Sequence, residues 1–238
     1  MIGARASLKP QPGSPLELQK ASTNVCNCLK WKYKGNSFLE AGDINLAIEA
    51  YDRAIETSVA HQEGIVLLMR ATAYLQRAAA HKEELKEIVS ELTGMVSPTS
   101  SLQLVYEEAM RQPPLANAIF RKVLEDTDRQ EKQFRKTQYR HGLYQYALLQ
   151  AAQDALRATQ LLPDYANSWI RAGEILSELW KLKESEQYYE RAIELDEKLA
   201  ATLRPVIDRL RKRQELLDTA RAFGWSEDTL RLALDVAR

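Results

Sequence analysis

Three histidines, two cysteines and two basic clusters are the side chains of this 238-residue chain whose types invite a chemical reading. His61, His81 and His141 are scattered, so they do not suggest a catalytic base held beside a nucleophile and an orienting partner. Each reads as a solvated helix residue. Cys26 and Cys28 could hold a metal ion only with two further ligands, and none lies near them in sequence. A phosphate-cradling glycine loop, a nucleophile elbow and a zinc-ligand spacing are all missing. The expectation is therefore no enzyme, no catalytic residue, no metal site and no cofactor.

The first basic cluster is Arg129, Lys132, Arg135, Lys136 and Arg140, whose steps of three to five residues draw one stripe along a helix, interleaved by Phe134 and Tyr139. Basic residues mixed with aromatics can follow a phosphate backbone and stack on bases. Asp126, Asp128 and Glu131 lie close by, so solvation and pairing between residues four apart is the plainer account. The second cluster, Arg209, Arg211, Lys212 and Arg213, invites the same two readings.

Whatever positions these side chains is built from helices. Nine Gly and eight Pro are few for the length, which disfavours a β-rich chain with many tight turns. Thirty-three basic residues balance thirty-three acidic ones, so the whole-molecule field favours neither nucleic acid nor an anionic membrane. No run approaches the roughly 18 apolar residues of a membrane span. Cysteines two apart are poorly placed to staple a fold, and a reducing, cytoplasmic setting is expected. The first twenty residues mix Pro, Gly and Ser without periodicity, and residues 1–24 are read as a disordered tail. If Arg5, Ser7, Lys9 and Ser14 belong to a targeting segment, the alternative is a plastid or mitochondrial location.

From Cys28 to Ser58 two amphipathic helices flank Gly42-Asp43. With Gly35 as the eighth position of a repeat, Trp31 falls at four, Phe38 at eleven, Ala47 at twenty, Tyr51 at twenty-four and Ala54 at twenty-seven. The same spacing returns with Trp169, Gly173, Leu176, Ser185, Tyr189 and Ala192. This pattern resembles the tetratricopeptide repeat (TPR) family, in which helix pairs of about 34 residues stack into a solenoid. Between them lies a repeat that has been opened. Ala71 carries its small first-helix position, and Ala151, Ala155 and Ala158 its second helix. Ala71 and Ala151 stand 80 apart where about twelve are expected, so about 68 residues have been inserted.

The resemblance implies an all-α fold of three helix pairs: residues 25–60, residues 61–166 with a helical insertion over about 78–142, and residues 167–198, capped by helices in 199–238. Within the insertion the first helix is expected to overshoot, a short helix to begin near Pro98, and one long helix to return from about Leu115, unless Asp126-Thr127-Asp128 breaks it. Pro205 reads as an interruption of the cap, and Ser226 as the N-cap of a last helix.

The resemblance also implies a concave groove for a partner peptide. The co-chaperone members of the family clamp a chaperone's C-terminal carboxylate with two Lys, two Asn and one Arg. Here Lys32, Asn36 and Arg171 match, while Met69 and Asn167 replace an Asn and a Lys. Charge-assisted hydrogen bonds contribute roughly 1.5–3 kcal/mol each, so losing two weakens a clamp. The expected function is a non-catalytic, co-chaperone-like adaptor or scaffold whose groove of Lys32, Asn36, Met69, Asn167 and Arg171 holds a peptide segment or C-terminal tail, with a heat-shock chaperone one such partner. The alternative is RNA binding or complex assembly on the basic face of the insertion.

Overall fold

The structure, a computed structural model, describes residues 15–95 and 113–224. Among these there are seven α-helices and no strand: α1 (Pro15–Glu40), α2 (Ile44–Glu56), α3 (Ala60–Met95), α4 (Pro113–Leu161), α5 (Ala166–Glu178), α6 (Leu182–Leu195) and α7 (Ala200–Ala222), with one 3-10 turn at Glu197–Leu199. No described helix is long and apolar enough to cross a membrane. They group into two compact units, one containing the chain up to Tyr74 together with Gln150–Gly224, the other containing Leu75–Leu149.

In the first unit the α1–α2 and α5–α6 pairs are each closed by fitting a large side chain against a small one. A Cβ added to Gly35 on α1 would sit 2.5 Å from the ring of Tyr51 on α2. Gly173 on α5 meets Tyr189 on α6 in the same way, at 3.1 Å. Only glycine lets the backbones come this close, and fully burying a ring such as Tyr51 is worth roughly 2–3 kcal/mol. Ser185, at the twentieth position where Ala is expected, is fully buried, and its hydroxyl donates to the Gly173 carbonyl at 2.7 Å. A buried hydroxyl so satisfied carries little penalty.

The interrupted repeat obeys the same volume rule with different residues. Its twenty-fourth position is Ala155 instead of Tyr, and its eighth is Ala71 instead of Gly; both are completely buried, as are Ala151 and Ala158. The methyl of Ala71 has room because the ring opposite is gone. The two segments run antiparallel. Gly64 of α3 lies against Leu162 just beyond α4, and Arg70 of α3 binds Asp154 of α4.

Outside that unit α3 and α4 continue as unbroken helices, 36 and 49 residues long. Asp126-Thr127-Asp128 does not break α4. In the second unit Ala78 and Ile88 of α3 and Tyr144, Ala147 and Leu148 of α4 are buried, and Arg140 of α4 pairs with Glu84 of α3 at 2.8 Å. The short helix expected near Pro98 and the N-cap at Ser226 lie outside the described residues.

Two expectations are corrected. Residues 15–24, assigned to the tail, belong to α1, which starts at Pro15; proline is preorganised for a first helical turn, whose N–H has no partner in any case. Pro205 does not interrupt α7, which runs on through it; in the second turn the proline gives up one N–H bond, to the carbonyl of Ala201. The turn between α5 and α6 is made by Trp180 at φ 61°, where the first repeat uses Gly42 at φ 84°. A bulky residue in this region costs about 1–2 kcal/mol, and the Arg213 guanidinium of α7 stacks over its ring, 4.1 Å from the centroid. α7 is also tied to α6 by Arg211, which reaches Glu186 and Glu190. Leu203, Ile207, Leu210 and Leu217 form its buried face.

Candidate functional site

One cavity of about 360 Å³ lies in the first unit, lined by Ile65, Leu68, Met69 and Thr72 of α3, by Tyr165 in the turn after α4, and by Asn167, Ile170 and Arg171 of α5. The lining from α3 follows from helical periodicity, since steps of three and four place residues on one face. The turn before α5 is fastened by two bonds that fix the rim. The Ser168 hydroxyl donates to the Tyr165 carbonyl at 2.7 Å, and the Trp169 indole donates to the Pro163 carbonyl at 2.9 Å.

The cavity brings together three of the five groove residues expected from sequence, Met69, Asn167 and Arg171. Lys32 and Asn36 are not among its lining. Asn36 is turned toward α2, where its Oδ1 accepts from the Tyr51 hydroxyl at 2.9 Å. The Lys32 ammonium lies 5.0 Å from the Tyr33 ring centroid. Arg171 pairs with Glu174 at 2.5 Å, and burial pushes the Glu174 carboxyl above its ordinary value, opposed by the Arg171 charge. Asn167 donates to the Tyr165 hydroxyl at 3.1 Å. Chemically the cavity offers the apolar side chains of Ile65, Leu68, Met69 and Ile170 beside the polar groups of Thr72, Tyr165, Asn167 and Arg171. Sequence reasoning named Met69 but not Ile65, Leu68 or Ile170, although the spacing 65, 68, 69, 72 was there to be read.

Beside it sits a charged cluster joining three helices. Arg70 donates from Nε and one terminal nitrogen to the two carboxylate oxygens of Asp154, each at 2.7 Å, and its other terminal nitrogen binds Asp52 of α2. Asp154 is 4% exposed. Burial pushes its carboxyl upward against the pull of Arg70, while the two carboxylates hold the Arg70 proton more firmly than usual despite burial. This is an interlock, and all three side chains are engaged in it.

The basic face expected on the insertion is largely neutralised. Lys132 pairs with Asp128 at 2.8 Å, Arg135 with Glu131 at 2.6 Å, and Arg140 turns to Glu84 of α3; Arg129 and Lys136 are exposed. Cys26 is an exposed thiol and Cys28 a buried one, pushed upward by burial against the nearby Lys32 charge. Among the described residues no group of three or more His, Cys, Asp or Glu side chains is arranged to hold a metal ion.

Helix pairs closed by glycine–tyrosine contacts and a cavity between successive pairs define an all-α protein of TPR-like architecture. Residues 166–199, which span α5 and α6, match the tetratricopeptide repeat family. Over 184 residues, 75% of the chain, the sequence is 28% identical to Protein O-mannosyl-transferase TMTC1 of Homo sapiens, and the chain spans 21% of that protein's length.

Proposed function

We propose that this chain is a non-catalytic interaction module which holds an extended segment of a partner polypeptide, seating one bulky apolar side chain in the cavity lined by Met69, Asn167 and Arg171. TPR repeats generally mediate protein–protein interaction. The observation that carries the finer reading is a lining that mixes apolar side chains with amide, hydroxyl and guanidinium groups, the composition of a site that orients a ligand with a few polar bonds. A carboxylate-clamping co-chaperone has less support, because Arg171 is paired with Glu174, and Lys32 and Asn36 stand apart from the cavity. RNA binding on the α4 basic face has less support as well, since Lys132, Arg135 and Arg140 are matched by carboxylates.

The relative carries the name of a mannosyl transferase, but the match covers about a fifth of it. We read the shared part as repeat scaffold whose work is binding.

The test is titration with fluorescent chaperone C-terminal peptides, with free and with amidated ends, beside an internal peptide bearing one Leu or Phe. The internal and amidated peptides should bind about as well as the free one, and Met69→Glu should weaken all three about tenfold or more by charging the lining. Preference for the free carboxylate, lost in Arg171→Ala, would restore the clamp. Salt-dependent RNA binding lost on charge removal from α4 would favour the alternative.

A further inference from the structure

The part of α4 in the second unit has two faces. One is buried and carries Tyr144, Ala147 and Leu148, with Arg140 tied to Glu84 of α3. The opposite face exposes Tyr139 (65%), Tyr146 (54%) and Leu149 (57%). These are large apolar surfaces to leave in water. Between them lies Gly142, and a Cβ built there would meet nothing within 4 Å. A glycine inside a helix weakens it relative to alanine, and here no contact within the described chain explains it.

The spacing supplies the second observation. Arg135, Tyr139, Gly142, Tyr146 and Leu149 are all exposed and follow one another by steps of four, three, four and three. That alternation is the 3.5-residue period of a coiled-coil seam. It keeps a stripe facing one neighbour along two heptads, and a glycine on the seam lets that neighbour come close or insert a large side chain. The third observation is charge. From Asp128 to Arg140 five basic residues accompany two acidic ones; Lys132, Arg135 and Arg140 are taken up by Asp128, Glu131 and Glu84, and Arg129 and Lys136 stand exposed.

We propose that this face of α4 docks a partner helix, amphipathic and acidic, lying along the seam with a large apolar residue over Gly142 and carboxylates beside Lys136. The site is separate from the cavity and does not depend on it. A second copy of this chain fits poorly. Parallel copies would set Arg135 against Arg135, antiparallel copies would set it against Leu149, and neither supplies the missing negative charge.

The probes are three synthetic 21-residue helical peptides with leucine at every seam position and flanks of all Glu, all Gln or all Lys, titrated into the full chain by fluorescence anisotropy. The Glu peptide should bind about tenfold more tightly than the Lys peptide, and less so as salt is raised. Tyr146→Glu should weaken it about tenfold and Lys136→Glu about fivefold, while Tyr33→Glu on α1 leaves it unchanged. Circular dichroism of each variant checks the fold, which these exposed positions should not disturb. Equal binding of all three peptides, indifference to Tyr146→Glu, displacement of the Glu peptide by an RNA 20-mer, or a dimer of the chain alone that Tyr146→Glu dissolves would each overturn the proposal.

Discussion

Arg70 on α3 grips both carboxylate oxygens of Asp154 on α4, at 2.7 Å each, across 84 residues of sequence. A second pair crosses the same seam, Arg157 to Glu63 at 2.5 Å, but Arg157 is 61% exposed whereas the Asp154 side chain is 6% exposed. Water decides the difference, because an exposed pair gains little over its hydrated parts while a buried one cannot be broken without stranding a charge. Arg157→Ala should therefore lower stability in urea by less than about 1 kcal/mol. A loss as large as that of Asp154→Ala would show that exposure does not rank these pairs.

Arg157 also shows how the interrupted repeat was accommodated. Arg53 and Arg191 occupy the same repeat position, and each lies over a tryptophan, Trp31 at 4.6 Å and Trp169 at 5.9 Å. The middle repeat has Leu67 where those tryptophans stand, and its arginine turns to Glu63 instead.

The glycine–tyrosine contacts predict an order of damage. Gly35→Ala places a methyl 2.5 Å from Tyr51, and Gly173→Ala places one 3.1 Å from Tyr189. Overpacking of this kind costs about 1–3 kcal/mol, so Gly35→Ala should lower the melting temperature more than Gly173→Ala. The reverse order would mean that Tyr51 moves aside more easily than Tyr189.

Trp180 at φ 61° yields a comparison of two substitutions. Trp180→Gly loses the Arg213 stacking but relieves the backbone, whereas Trp180→Ala loses the stacking and keeps the strain. Trp180→Ala should be less stable than Trp180→Gly by about 1 kcal/mol in chemical denaturation. Equal stability would remove the strain.

Tyr51 should report on high pH. Burial, with help from the Glu40 charge, pushes its phenol up to about 12 from an ordinary value of 10.0, and the neutral hydroxyl donates to Asn36. The folded state thus favours the protonated form. Its contribution is full below about pH 10 and is lost as pH rises through about 12. Absorbance at 295 nm should show phenolate from this class appearing above the exposed tyrosines, with Tyr189 also pushed up by burial. A single transition near the ordinary value, with no fall in stability above it, would contradict the packing of Tyr51.

The repeats were legible because packing leaves a periodic trace: Gly35 and Tyr51, like Gly173 and Tyr189, are sixteen apart and recur. The split repeat was legible for the same reason, since Ala71, Ala151 and Ala158 keep their places on either side of the insertion. What could not be read is whatever lacks a period. Nothing in sequence joins Arg70 to Asp154, and Trp180 is the last residue one would put in a left-handed turn. Of the cavity lining, Met69, Asn167 and Arg171 were expected by position in the repeat, while Ile65, Leu68 and Ile170 looked like any helical apolar residue until two helices met. Lys32 and Asn36 do not line the cavity, because position along a helix does not tell which neighbour engages a side chain, and Tyr51 donates to Asn36.

The central claim is that α3 and α4 close a repeat interrupted by its insertion, and a double-mutant cycle on Arg70→Met and Asp154→Asn measures it most directly. Unfolding free energies of the two single variants and the double variant in the full chain should reveal a favourable coupling of about 2 kcal/mol. Additivity to within about 0.3 kcal/mol would mean that the two side chains do not meet, and that the repeat is not closed.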